Sequence, residues 1–214
     1  MKNAILLSTL LLLSCATSYQ RIKADDTYAD NLNENEDIKI VLGYQGLGSN
    51  DRFRDKFEEN KISLLRLTVS NKSDRAVTVD ANDIVLKIKD EDLAVLPLEA
   101  SIVANRVELA EAGYWLWGLF WVGYTECTNG DCESTWFPVG LIIGAINFFK
   151  ASNTNSQMEK ELVENSFPGG VINPGEQMSG YLFYDASKKR YYDFQLKYQF
   201  DDEDKKLIGV AYSF

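Results

Sequence analysis

Histidine is absent from this 214-residue chain. That removes the commonest general base and the commonest metal ligand. Serine side chains have no imidazole to activate them, and no G-x-S-x-G elbow presents one as a nucleophile. Basic residues are also in short supply, 22 against 32 acidic ones, for a net charge of −10. A chain so acidic lacks the positive footprint that nucleic acid requires. Cysteine occurs three times, too rarely for a disulfide-rich scaffold or, without histidine, for a zinc site. No apolar run reaches the ~20 residues of a membrane-spanning helix.

Acidic residues gather at Asp25-Asp26 and in the segments 34–37, 90–92 and 201–204. None follows the D-x-[DN]-x-[DN]-G order of a calcium loop, so they read as solvated turns. Paired carboxylates can hydrolyse glycosides, but no spacing here sets two of them across a cleft. The sequence therefore implies neither an enzyme nor a cofactor.

What is present begins at the N-terminus. Met1-Lys2-Asn3 precedes an apolar run from Ala4 to Leu13, then Ser14-Cys15. One positive charge followed by about ten apolar residues reads as an export signal rather than a permanent anchor helix. Leu12-Leu13-Ser14-Cys15 resembles the lipobox of bacterial lipoproteins, with Leu three residues before the Cys and a small residue directly before it. That resemblance implies removal of residues 1–14, lipidation of Cys15, and a membrane as partner through the lipid. Several acyl chains, at ~0.8 kcal/mol per buried CH₂, would hold the chain stably on a bilayer. Ala16 follows the Cys. By the same resemblance, the lack of Asp there favours the outer membrane of the bacterial envelope over the inner one. The loss of Lys2 leaves 21 basic residues against 32 acidic ones, a net charge of −11, so the lipid rather than electrostatics must do the holding.

Residues 15–37 are polar and rich in Asn, Asp and Glu, the composition of a tether. From Ile38 the pattern turns to alternation. Ile38, Ile40 and Leu42 share one face, as do Leu65, Leu67 and Val69 in the strand read over residues 62–70. Further strands are expected at 76–79, 84–88, 93–98, 191–200 and 207–214, with a break at Asn82-Asp83 and a charged hairpin loop over 201–206. The segment 53–60 reads as a loop or helical turn. Short strands with turns at this spacing suggest a sandwich or barrel.

Residues 65–87, LRLTVSNKSDRAVTVDANDIVLK, resemble the immunoglobulin-like modules of small bacterial envelope lipoproteins and of late-embryogenesis-abundant-like domains. In those, a strand ends at an Asn-x-Ser/Thr turn and a second strand returns. Pro174-Gly175-Glu176, leading into the strand at 179–184, is similar to the turn and strand that close such modules. The expected fold class is thus mainly β, or α+β by content: an immunoglobulin-like β-sandwich over 38–214, interrupted at about 98–165 by an apolar, partly helical hairpin.

That insert is the strongest functional lead. Residues 98–112 have helix-forming composition, with Ile102, Arg106 and Leu109 near helical spacing. An aromatic arm follows, with Trp115, Trp117, Phe120 and Trp121, in which Gly113, Gly118 and Gly123 recur every five residues. Cys127 and Cys132 flank Thr-Asn-Gly-Asp, where Asn129-Gly130 signals a turn; a disulfide would pin the tip. A second arm runs from Trp136 to Phe149 and carries Gly140 and Gly144 in a G-x-x-x-G, a spacing that lets helices approach closely in membranes. Residues 150–165 read as a polar helix with Met158, Leu162 and Val163 inward.

Three readings follow. In the first, the chain is a non-catalytic, lipid-anchored interaction or structural module that holds an unidentified envelope protein through Trp115, Trp117, Phe120, Trp121 and Trp136. In the second, residues 113–149 insert into lipid, with Gly140 and Gly144 at the close approach. In the third, the module binds glycan for an envelope hydrolase through its aromatic faces. Packing of the arms into the core is the structural counter-expectation to all three.

Overall fold

Alternation determines which side chains enter the core. The computed structural model describes residues 19–23, 27–47, 51–88, 94–108, 119–129, 131–185, 191–201 and 204–213. Strands β1 (Thr27–Glu34), β2 (Ile38–Gln45), β3 (Ile62–Asn71) and β9 (Gln177–Asp185) form one antiparallel sheet in the order β1-β2-β3-β9. On β2, Ile38, Ile40 and Leu42 are fully buried, and so are Leu65, Leu67 and Val69 on β3. The register sets Ile40 against Val69 and Leu42 against Leu67, so period-2 patterning on two strands delivers one apolar face.

The second sheet has the order β11-β10-β4-β5. It comprises β4 (Val77–Ile88), β5 (Ala94–Val95), β10 (Tyr191–Gln199) and β11 (Lys206–Ser213), and β8 (Gly170–Ile172) also pairs with β4. Phe194 lies between Leu86 and Val210, and Leu196 between Ile84 and Ile208. Buried residues of both sheets form a single core cluster. Each fully buried Leu, Ile or Phe in it stabilises the fold by roughly 1.5–3 kcal/mol before conformational entropy is set against it.

Several boundaries differ from the sequence reading. The tether expected over 15–37 contains β1, which pairs with β2; its Asn, Asp and Glu content hides an edge strand whose pairing is backbone-driven. Asn82-Asp83 bends β4 without breaking it. The register against β10 shifts between Ile84 and Val79, and Asp80 accepts hydrogen bonds from the Asn82 backbone N–H (2.9 Å) and side-chain amide (3.0 Å). Local side-chain bonding absorbs the extra residues as a bulge. Of the strand expected over 93–98, Ala94–Val95 pair with β4 and Leu98 forms an isolated bridge to Phe183. The segment at 53–60 is helical: α1 (Asp51–Glu59) buries Phe53 and Phe57, which stack at 5.3 Å.

Two buried details fix how the strands meet. Asn71 ends β3; its amide donates to the carbonyls of Arg75 (2.7 Å) and Ile172 (2.8 Å), and its Oδ1 accepts from the Ser73 N–H (2.9 Å) and hydroxyl (2.7 Å). The outer edge of β9 is covered by backbone. Leu98 N–H donates to Phe183, Phe167 N–H donates to Tyr181, and Tyr181 N–H donates to Asn165. Gly180 permits this approach, because a Cβ there would sit 2.4 Å from the Phe167 Cα.

The chain divides into two compact units: Gln20–Val107 with Glu159–Phe214 carry both sheets, and Glu108–Met158 belongs to the other. Helix α2 (Ala100–Arg106) lies in the β unit and buries Val103, Ala104 and Val107 rather than Ile102. The apolar segment is not a helical hairpin. Its described part is a two-stranded β-hairpin, β6 (Val122–Thr128) and β7 (Asp131–Phe137), followed by one 26-residue helix, α3 (Val139–Glu164). That helix joins the apolar arm and the polar helix that the sequence reading separates. No Gly or Pro interrupts it after Gly144, and it ends where Asn165 and Ser166 side chains donate to the carbonyls of Glu161 and Leu162 in its last turn.

Candidate functional site

Within the unit that holds residues 108–158, apolar side chains face outward. A two-stranded ribbon cannot bury a face by itself, and every described residue of β6 and β7 is exposed. The hairpin is held by local devices. Cys127 and Cys132 stand directly opposite each other and form a disulfide with a Cα–Cα separation of 4.1 Å. Thr125 and Ser134 share a hydroxyl hydrogen bond of 2.9 Å. Asn129 takes the left-handed conformation (φ 55°) that the tip requires. Trp136 lies over Gly123, where a Cβ would come within 2.7 Å of the indole.

Polarity along the hairpin is graded. Its tip carries Glu126, Asp131 and Glu133, with Glu126 directly opposite Glu133, a like-charge pairing that disfavours the ribbon and that the adjacent disulfide offsets. Its base carries Phe120, Trp121, Tyr124, Trp136 and Phe137, each more than half exposed. No lysine or arginine occurs from residue 119 to residue 149.

Helix α3 continues the apolar surface. Its first N–H groups would otherwise lack acceptors; the Gly140 N–H donates to the Phe120 carbonyl at 2.9 Å and so ties the helix start to the hairpin base. Gly140, Gly144, Asn147, Ala151, Thr154, Met158 and Leu162 are buried at steps of three and four residues, one continuous seam of a helix. The opposite side of the first three turns presents Leu141 (53% exposed), Ile142 (64%), Ile146 (62%) and Phe149 (69%). From Lys150 onward the outward side is polar, apart from Val163.

The candidate residues thus fall into three groups. Phe120, Trp121 and Trp136 come together as exposed aromatics at the hairpin base. Gly140 and Gly144 lie instead on the buried seam of α3, so they do not belong to the outward surface. Trp115, Trp117 and Cys15 lie outside the described residues. The outward residues Leu119, Phe137, Leu141, Ile142, Ile146 and Phe149 were missed as individuals. Their apolar run is plain in the sequence, but its facing depends on helical phase, which the uniform apolarity of residues 139–149 conceals. Met158 and Leu162 are buried as expected; Val163 is exposed.

A concavity lies in the β unit, a cleft of about 410 Å³ lined by residues that include Asn82, Leu98, Glu99, Phe167, Tyr181 and Phe183. Glu99 is the one carboxylate among the described lining residues. Burial, reinforced by Glu161, raises the Tyr181 phenol above its ordinary value, so it stays neutral there. One carboxylate and one neutral phenol do not make the opposed pair that acid–base hydrolysis uses.

Fold and surface together define a class: a mainly β, two-sheet protein that carries a disulfide-pinned, outward-facing aromatic and aliphatic unit. No protein-family model matches the sequence, and no curated protein matches it significantly. Among solved structures, the chain is similar to one from Bacillus subtilis subsp. subtilis str. 168, described as "a putative lipoprotein (ycdA)". The TM-score is 0.40 at 10% identity, over 87% of this chain and 39% of that one. The chain therefore spans about two fifths of that protein's length.

Proposed function

We propose that the protein is a non-catalytic, lipid-anchored component of the bacterial cell envelope, and that the surface formed by the hairpin base and the first turns of α3 is its contact surface. The observation that carries this reading is the exposure of ten large hydrophobic side chains among the described residues from Leu119 to Phe149, each more than half accessible. Soluble proteins rarely leave such residues contiguous in water unless something covers them, and aromatic anchors are the usual centres of contact. Anchoring through Cys15 rests on the lipobox resemblance, which also favours the outer membrane, with the inner membrane as the alternative site. The immunoglobulin-like reading of the β unit is supported by two antiparallel sheets that share one core and by the Asn71-Lys72-Ser73 turn.

The test is site-specific photo-crosslinking of the full chain in its own envelope. A photoreactive phenylalanine at Phe149 or Trp136 should give adducts, to protein or to lipid. The same group at Lys197, exposed on β10, should give none. Equal yields at all three positions, or none at any, would remove the contact surface.

A further inference from the structure

Resting on that reading, we infer that the occupant of the surface is the bilayer itself, entered to interfacial depth, rather than a protein groove. The argument begins with the distribution of apolar side chains around α3. At 100° per residue, Leu141, Ile142, Ile146, Phe148 and Phe149 spread over roughly 160° of the helix circumference, on the side away from the buried seam. A groove in a partner covers a narrower stripe and leaves the flanking positions in water. A lipid surface covers the whole arc.

The axial distribution points the same way. The outward apolar stretch stops abruptly between Phe149 and Lys150, and the next outward positions are Ser152, Asn153, Ser156, Gln157, Glu159 and Lys160. Eleven residues of helix, Val139 to Phe149, rise about 16 Å, half of a ~30 Å hydrocarbon core. No described helix is long and apolar enough to cross a membrane. The stretch is therefore sized to lie in one leaflet. Beside it the hairpin base supplies Trp121, Tyr124 and Trp136, residue types that settle at the headgroup boundary. The open edges of β6 and β7 carry backbone groups that the hydrocarbon cannot satisfy, which sets the hairpin at the boundary and leaves its acidic tip in water.

The sequence provides its own probe, because all four tryptophans lie between residues 115 and 136. Intrinsic tryptophan emission from the full chain therefore reports on this unit alone. The full lipidated chain is reconstituted into phosphatidylcholine vesicles, either plain or brominated at acyl positions 6,7 or 11,12. A Trp115→Phe/Trp117→Phe variant confines the signal to Trp121 and Trp136. The inference predicts at least a twofold loss of emission with the 6,7-bromolipid, a smaller loss with the 11,12-bromolipid, and recovery of emission in an Ile142→Asn/Ile146→Asn/Phe149→Ser variant. The changed residues are exposed, so the core is left intact. Emission that is the same in plain and brominated vesicles overturns the inference, and aqueous acrylamide then separates the causes. Strong acrylamide quenching means that the surface faces water and the contact-surface reading fails with it. Protection from both quenchers means that protein, such as a second copy, covers the surface; the contact reading then stands and the lipid assignment falls. Undiminished bromolipid quenching in the triple variant also overturns the inference, since α3 would not be what brings the indoles to lipid.

Discussion

Asn71 shows how one polar side chain can hold several segments together. Only 2% exposed, it ties the end of β3 to the turn before β4 and to Ile172 on β8. The Asn71→Ala change removes the amide donor from the buried Ile172 carbonyl and from the Arg75 carbonyl, which keeps the Ser73 hydroxyl as a donor, and it frees the turn. One orphaned buried group costs about 1–3 kcal/mol, so a loss of about 2 kcal/mol in urea unfolding is expected; a loss under 1 kcal/mol would show that water replaces the amide. A second residue-scale effect is ionic. Asp37 accepts from Lys206 Nζ and from the Tyr198 hydroxyl, both at 2.9 Å. The Lys206 bond is the leading cause that holds its carboxyl below the ordinary 3.8. A depressed folded-state value means that this stabilisation is complete above about 3.8 and fades as pH falls through the lower folded value. The pair is partly exposed, so Asp37→Asn should cost only about 1 kcal/mol at pH 7. The gap between variant and wild type should narrow near pH 3 in matched urea titrations; a gap that widens in acid would contradict the assignment.

Among the elements, strands with clean alternation were the legible ones. Ile38, Ile40 and Leu42, and Leu65, Leu67 and Val69, take the buried face that period-2 reading assigns them. Edge and bulged elements were not. β1 has polar composition, and its place in the sheet depends on β2 beside it. The bulge in β4 looks like a turn in sequence because Asp80, Asn82 and Asp83 are turn formers wherever they occur. The arms of the apolar segment were misread for a different reason. Aromatic and β-branched residues around Val122 and Trp136 favour strands, but the Gly-punctuated apolar run around them has no period to read. The Cys127–Cys132 disulfide was legible from spacing and the Asn-Gly turn. By chain-entropy arithmetic so short a loop stabilises by about 2 kcal/mol, and the hairpin depends on it because neither of its faces is buried. A Cys127→Ser/Cys132→Ser variant should therefore raise hydrogen exchange over residues 122–137 while leaving β3 protected, since the core cluster contains no residue of the hairpin. Exchange that rises equally in β3 would make the disulfide a determinant of the β unit as well.

At the scale of the whole molecule, the chain separates its tasks. Nearly all its alternating apolar pattern goes to a two-sheet core, and its tryptophans and the cation-free apolar stretch from residue 119 to residue 149 go to the other unit. Sequence alone shows that this stretch exists and that it is too short to span. Whether it is core or surface is decided by helical phase and by the strand pairing of residues 122–137, and both emerge only in three dimensions. The most direct test of the account removes the lipid and asks whether the surface suffices. The chain is exported behind a leader that is cleaved without lipidation, so that it begins at Ala16, and its envelope fractions are compared with those of the Ile142→Asn/Ile146→Asn/Phe149→Ser variant. The account predicts that the unlipidated wild type still sediments largely with membranes while the variant is mostly released. If the unlipidated wild type is released as completely as the variant, the outward apolar unit is no contact surface, and attachment to the envelope rests on Cys15 alone.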